Sequence, residues 1–173
     1  MLHDDRLFSS DQTQRAIARR LYAEIKDLPI ISPHGHTDPA WFAYNEPFSD
    51  PAALFVVPDH YLFRMLYSQG VPLNDLGIPD AEGKTPKKDP RSIWRLFAEN
   101  WHLFRGTPSK MWLEHSLETV FGVTDRLNAK TADAIYDRVA ACLASPEFRP
   151  RALFERFNIE VIATTESPID PLN

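Results

Sequence analysis

Ile30-Ile31-Ser32-Pro33-His34-Gly35-His36-Thr37-Asp38-Pro39 is the stretch on which the fold turns. The run opens on two β-branched residues, Ile30 and Ile31, and is too brief for a helix between the prolines at 29 and 33, which predicts a buried strand delivering its last residues to a loop. Its counterpart is Ile159-Glu160-Val161-Ile162-Ala163-Thr164-Thr165, the one convincing strand in the second half. Strands separated by more than a hundred residues cannot form a hairpin; they suit adjacent parallel strands joined by a large crossover. Two parallel strands alone leave both edges and much of both faces open, so the chain reads as the front part of something larger.

Upstream, Ile17, Leu21, Ile25 and Leu28 recur at spacings of four, four and three behind Ser10 or Asp11 as N-cap. This predicts a helix over 11–26 that buries one stripe and is stopped by Pro29. Downstream, the signals change to short helices parted by proline. They run from Asp59 to Gln69 before Gly70, Asp89 to Phe104 before Gly106, Thr107 to Phe121 before Gly122, and Thr131 to Ala144 before Pro146. Each has its cap first and its stop signal after. A further helix is expected over Arg151 to Phe157. The organisation expected is 1–39 for the N-terminal helix and first strand, 40–150 for an inserted helical domain, and 151–173 for the return to the sheet.

The composition excludes several classes. Lys and Arg number 19 against 24 Asp and Glu, a net charge of -5 with 43% hydrophobic residues, which argues against disorder and against a basic nucleic-acid binder. Fifteen prolines in 173 residues exceed a norm of about 5% and fit many interrupted segments. Cys142 is the single cysteine, so there is neither an internal disulfide nor a thiolate pair for zinc or redox chemistry. The chain opens without a basic or apolar leader, and an apolar run such as Ala52 to Val57 is far below the roughly 20 residues that span a bilayer. A cytoplasmic protein with no membrane partner is the expectation.

His34 and His36 stand at i, i+2 on extended backbone, where side chains point to one side and two imidazoles can reach one ion. A bland pair of loop histidines is the competing reading. Asp59-His60-Tyr61 opens a helix, with Asp59 suited to cap it; a His and a Tyr there can donate protons or hydrogen bonds to a sugar oxygen. Spacing alone favours Tyr61 in an apolar stripe with Met65, and His60 solvated. Trp94, Trp101 and Trp112 recur among Ile93, Phe97, Phe104 and Met111, which is core composition. His102, His115 and Cys142 read as structural. Thr164-Thr165-Glu166-Ser167-Pro168 ends the second strand, where parallel α/β folds gather function, although a plain strand-end turn is equally open.

Three segments together resemble the N-terminal part of the uronate isomerase (glucuronate isomerase) family of the amidohydrolase superfamily. They are Pro33-His34-Gly35-His36; Asp59-His60-Tyr61 with Arg64-Met65 and Gly70-Val71; and Ile162-Ala163-Thr164-Thr165-Glu166-Ser167-Pro168-Ile169-Asp170. Ala18 to Tyr22 and Phe121-Gly122-Val123 also look like the family. The resemblance implies an α/β fold, the N-terminal part of a distorted (β/α)8 TIM-type barrel with a large inserted helical domain. It implies aldose to ketose isomerisation of hexuronates, D-glucuronate to D-fructuronate or D-galacturonate to D-tagaturonate. His34 and His36 would be metal ligands, zinc being the usual ion, and His60 and Tyr61 would be active-site residues that contact the uronate substrate and assist proton movement. A homo-oligomer is also expected.

The chain departs from the family's pattern at Ser32, where an Asp is common, at Gly35, where a Cys is common, and at Glu166-Ser167, where Asp-Asp is common. The family's C-terminal aspartate, a ligand and base, and its carboxylate-binding arginines would lie beyond Asn173, with the rest of a barrel that needs about 250 residues. The segment alone is therefore expected to be inactive. Two rival readings compete: a metal-dependent hydrolase of the same superfamily, and a non-catalytic helical interaction module.

Overall fold

The structure, a computed structural model, describes residues 2–165. Helix α1 spans Gln12–Ile25, and the Asp11 carboxylate caps it by accepting from the Gln14 N–H. Strand β1 is Ile30–Ser32 and strand β2 is Ile159–Ile162. They pair in parallel, with Ile30 opposite Ile159, Ile31 opposite Val161 and Ser32 opposite Ile162, and a register irregularity between Ile30 and Ile31. The expected neighbouring parallel strands are thus present, with one correction: β2 leaves the ladder after Ile162 rather than continuing to Thr165. The last rung is Ala163 N–H to the Ser32 carbonyl at 2.9 Å. Glu166 and the residues after it lie outside the described residues.

Between the strands run α2 (Pro39–Tyr44), α3 (Pro51–Phe55), α4 (His60–Ser68), α5 (Pro90–Glu99), α6 (Pro108–Thr119), α7 (Ala132–Leu143) and α8 (Pro150–Arg156). Asp38, Asp50 and Asp89 each cap a helix whose first residue is proline, the position where a missing N–H costs nothing. The helix expected to run unbroken to Phe104 stops at Glu99. Asn100 leaves the helical region, its side-chain amide donates back to the Leu96 carbonyl at 2.9 Å, and Trp101–Phe104 continues as a 3-10 turn. That turn brings both Trp101 and Phe104 into the core.

The chain forms two compact units. The helical unit comprises Phe48–Ser145 with the first two residues. Its core is aromatic: Trp94, Phe97 and Phe104 are fully buried, with Leu66, Leu76, Val139 and Leu143 around them. The Trp94 indole N–H donates to the Ala132 carbonyl at 2.9 Å, so the largest core side chain leaves no polar atom unpaired where α5 meets α7. The strand-bearing unit is His3–Pro47 with 146–173. There Arg151 donates from Nε to the Phe42 carbonyl and from an Nη to the Ala43 carbonyl, at 2.7 and 2.9 Å. Those are carbonyls that α2 leaves without intrahelical partners, so Arg151 ties α8 to the end of α2. Phe42 and Phe154 meet edge to face beneath it.

The α1 stripe is not buried as expected. Ile17, Leu21, Ile25 and Leu28 are exposed, Leu21 at 61%, and Ile30, Ile31 and Val161 of the strands are exposed as well. The pattern that writes a buried stripe is intact, but no described residue covers it.

On the outside of the helical unit, Arg95 holds the Asp133 carboxylate with two bonds of 2.9 and 3.0 Å, while Arg91 reaches Asp133 and Asp137 and lies over the Tyr136 ring. The Arg95 hydrogen bonds keep Asp133 below its ordinary carboxylate range, and the Ser92 hydroxyl does the same for Asp89. Because the folded pKa values are depressed, the stability they confer is complete above the ordinary range and is lost as pH falls through it toward the folded values. Thermal melts followed by circular dichroism should show the midpoint of this unit declining on acidification, less steeply in Arg95→Gln. Parallel pH profiles for the two proteins would contradict the assignment.

Candidate functional site

The turn from β1 into α2 is pinned at both ends. On the strand side the Ser32 hydroxyl donates to the His34 carbonyl at 3.0 Å; on the helix side Asp38 accepts from the Ala40 N–H at 2.9 Å, with Pro39 opening α2. Gly35 fits because a Cβ there would lie 3.0 Å from the Ala163 carbonyl oxygen, tighter than side chains tolerate without movement. This close approach brings the residues after β2 against the loop.

His34 and His36 both project from this turn, and their Nε2 atoms stand 3.3 Å apart with the rings nearly perpendicular. Two nitrogens held about 2.0–2.1 Å from one tetrahedral zinc are about 3.3–3.4 Å from each other. The spacing matches that of two ligands on a single ion, and equally that of one imidazole donating a hydrogen bond to the other. Neutral imidazoles are the commonest metal donors, and the donor chemistry fits zinc. No cluster of three or more His, Cys, Asp or Glu that could hold a metal occurs among the described residues. On the other side of the His34 ring, Nδ1 lies 3.3 Å from the Thr165 hydroxyl.

His60 and Tyr61 belong to the helical unit. Asp59 caps α4, its carboxylate accepting from the Tyr61 and Leu62 N–H groups at 2.8 and 3.2 Å, so it is engaged in holding the two side chains at the helix start. The rings of His60 and Tyr61 stack at 4.2 Å between centroids. Tyr61 shares an apolar face with Met65, as spacing suggested, but the face is open: Tyr61 is 62% exposed, and both residues line a hollow of about 320 Å³. Trp112, expected in the core, lines the same hollow and is 59% exposed, because Leu113 and Leu117 one step round α6 face the core instead. Trp94 and Trp101 are core residues as expected. His102 and His115 are exposed, and the Nδ1 of His102 sits 3.2 Å from the Glu99 carbonyl. Cys142 is half-buried.

The loop that follows the first parallel strand brings two imidazoles together, at the end of the strands where parallel α/β folds gather functional groups. Residues 4–173 match the family model described as glucuronate isomerase, and the chain belongs to that family. It is 64% identical over 171 residues to a uronate isomerase of Phenylobacterium zucineum, covering 99% of this chain and 35% of that protein. With a uronate isomerase of Xanthomonas campestris pv. campestris it shares 62% over 172 residues, 99% of this chain and 36% of the relative. The crystal structure of glucuronate isomerase from Caulobacter crescentus superposes with a TM-score of 0.92 at 60% identity, over 96% of this chain and 34% of that one. The uronate isomerase structure from Thermotoga maritima gives 0.83 at 27% identity, over 99% and 35%. The chain thus spans about a third of the length of these relatives.

Proposed function

We propose that this chain is the opening third of a hexuronate isomerase, interconverting D-glucuronate with D-fructuronate and D-galacturonate with D-tagaturonate. The observation that carries the chemistry is the His34 and His36 pair, with Nε2 atoms 3.3 Å apart at the carboxyl end of β1. Family membership supports the reaction and the uronate substrate. The exposed apolar stripe of α1 and the exposed faces of β1 and β2 support a (β/α)8 barrel in which further strands and helices cover them, since parallel sheets are stable with both faces covered. Those further elements are the partner this surface calls for. No helix among the described residues is long and apolar enough to cross a membrane, in keeping with a cytoplasmic enzyme. A homo-oligomer belongs to the same reading.

Isomerisation moves a proton between neighbouring carbons through an enediol, and so needs a base, an acid beside the carbonyl oxygen and a counter-charge for the developing oxyanion. His34 and His36, with further ligands from the rest of the barrel, would hold a zinc ion, which when bound would supply Lewis acidity toward the sugar oxygens. Tyr61 offers a phenol O–H at a helix start fixed by Asp59, and His60 stacked beside it is a proton acceptor and donor. These two bind substrate oxygens and move protons at them. The base comes from the barrel's remaining part.

The test is to assay a protein of the relatives' full length for ketose formation from D-glucuronate and D-galacturonate, and for ester and amide hydrolysis. Ketose formation with metal content near one zinc per chain is expected. Hydrolysis without isomerisation would install the superfamily hydrolase in its place, and neither activity would favour a helical interaction module.

A further inference from the structure

We propose that Thr165 is a positioning residue for His34, its hydroxyl being the outer hydrogen-bond partner that holds the His34 ring with Nε2 free to bind the metal. This rests on the metal reading of His34 and His36 above. His34 is exposed, so packing does little to fix its ring. The polar contacts its two ring nitrogens make among the described residues are Nε2 to His36 and Nδ1 to Thr165.

A neutral imidazole has one N–H and one lone pair. For both Nε2 lone pairs to converge on one ion, His34 must carry its proton on Nδ1, and that N–H needs an acceptor. Thr165 Oγ1, 3.3 Å away, is the acceptor in place. Metal-bound histidines commonly give this bond to a carboxylate or a backbone carbonyl, which only accept. A hydroxyl also donates. In the metal-free protein the other tautomer places the proton on Nε2, where it can be donated to Nε2 of His36, and the Thr165 O–H then donates to Nδ1. One side chain thereby satisfies His34 with and without its ion.

Its placement follows from the strand pairing rather than from a chance surface contact. Thr165 lies 131 residues from His34 in sequence. The final rung, Ala163 N–H to the Ser32 carbonyl, sets where β2 ends, and Gly35 lets the Ala163 carbonyl pass close over the loop. Two residues further on, the chain presents Thr165 to the far side of the His34 ring.

The experiment uses the full-length protein with Thr165→Val, which keeps the shape and removes the hydroxyl, and Thr165→Ser, which keeps the hydroxyl. Zinc affinity is read by competition with a chelator, and the His34 Nδ1 environment by NMR of isotope-labelled histidine in the zinc-loaded protein. Thr165→Val is expected to weaken zinc about 10- to 100-fold and to shift the His34 Nδ1 signal, while Thr165→Ser restores both. Unchanged affinity in Thr165→Val, an unmoved His34 signal, or equal losses in Val and Ser variants would overturn the inference. His34→Ala separates the two levels. If it loses zinc while Thr165→Val does not, only the Thr165 assignment fails; if the wild-type protein takes up no zinc, or His34→Ala keeps it, the metal reading fails and this inference with it.

Discussion

His34→Ala in a protein of the relatives' full length is expected to lower uronate isomerisation by about a hundredfold or more and to lower bound zinc in the same preparation. The size follows from what the ring does. Removing one group that stabilises a developing oxyanion costs about 10²- to 10³-fold, and an ion that loses a ligand loses occupancy as well as orientation. The effect on folding should be small, because His34 is exposed and, among the described residues, its ring nitrogens meet only His36 and Thr165. Elemental analysis and turnover are therefore read beside a thermal melt. Undiminished zinc with normal turnover would remove His34 from the site. Loss of turnover with a collapsed melt would instead make it a structural residue.

Much of the architecture was legible because proline and capping residues punctuate this chain so often. The brief run between Pro29 and Pro33 left only a strand, and the distance to Ile159 excluded a hairpin, so parallel pairing followed from chain geometry. The caps at Asp59, Asp89 and Thr107 fall where they were read, and of the two candidates for the first helix, Ser10 and Asp11, it is Asp11 that caps. Helices α2 and α3 were missed, being six and five residues long, too short to show a period. Their signal was nonetheless present: Asp38-Pro39 and Asp50-Pro51 repeat the cap-then-proline pair that marks α5 at Asp89-Pro90. The break at Asn100 had no glycine or proline to announce it, and the aromatic residues on either side continue as a core.

The site was legible in its residue types and not in their surroundings. Spacing at i, i+2 suggested two imidazoles on one side of an extended backbone; the chain instead bends at Pro33 and His34 once β1 has ended at Ser32, and it is this turn that brings the two Nε2 atoms together. The roles proposed for His60 and Tyr61 come from the resemblance alone, because spacing favoured Tyr61 in an apolar stripe with Met65; the structure leaves Tyr61 62% exposed. Trp112 was misjudged for a related reason: an aromatic among aromatics suggests a core, but a single step along a helix rotates a side chain by about 100°. The bond between Thr165 and His34 depends on where β2 leaves the sheet, which sequence alone overestimated by three residues.

The 173-residue chain by itself, supplied with zinc and D-glucuronate, is expected to form no ketose above background. Two imidazoles leave coordination positions without protein ligands, since catalytic zinc usually takes three protein ligands and a water, and the described residues offer no third donor beside this pair. The proton-abstracting base is the second gap. Losing a general base costs about 10²- to 10⁴-fold, and it must reach the substrate proton before its pKa matters. The exposed apolar stripe of α1 adds a third, physical reason: a strand pair open on its faces has no rigid wall to hold a sugar in a reactive pose, and positioning can supply about 7–11 kcal/mol of a barrier. Glu166, outside the described residues, is the carboxylate nearest in sequence to Thr165. Ketose appearing at a robust rate with the isolated chain, and disappearing in Glu166→Gln, would make that residue the base and overturn the reading of the chain as one part of a larger catalytic unit.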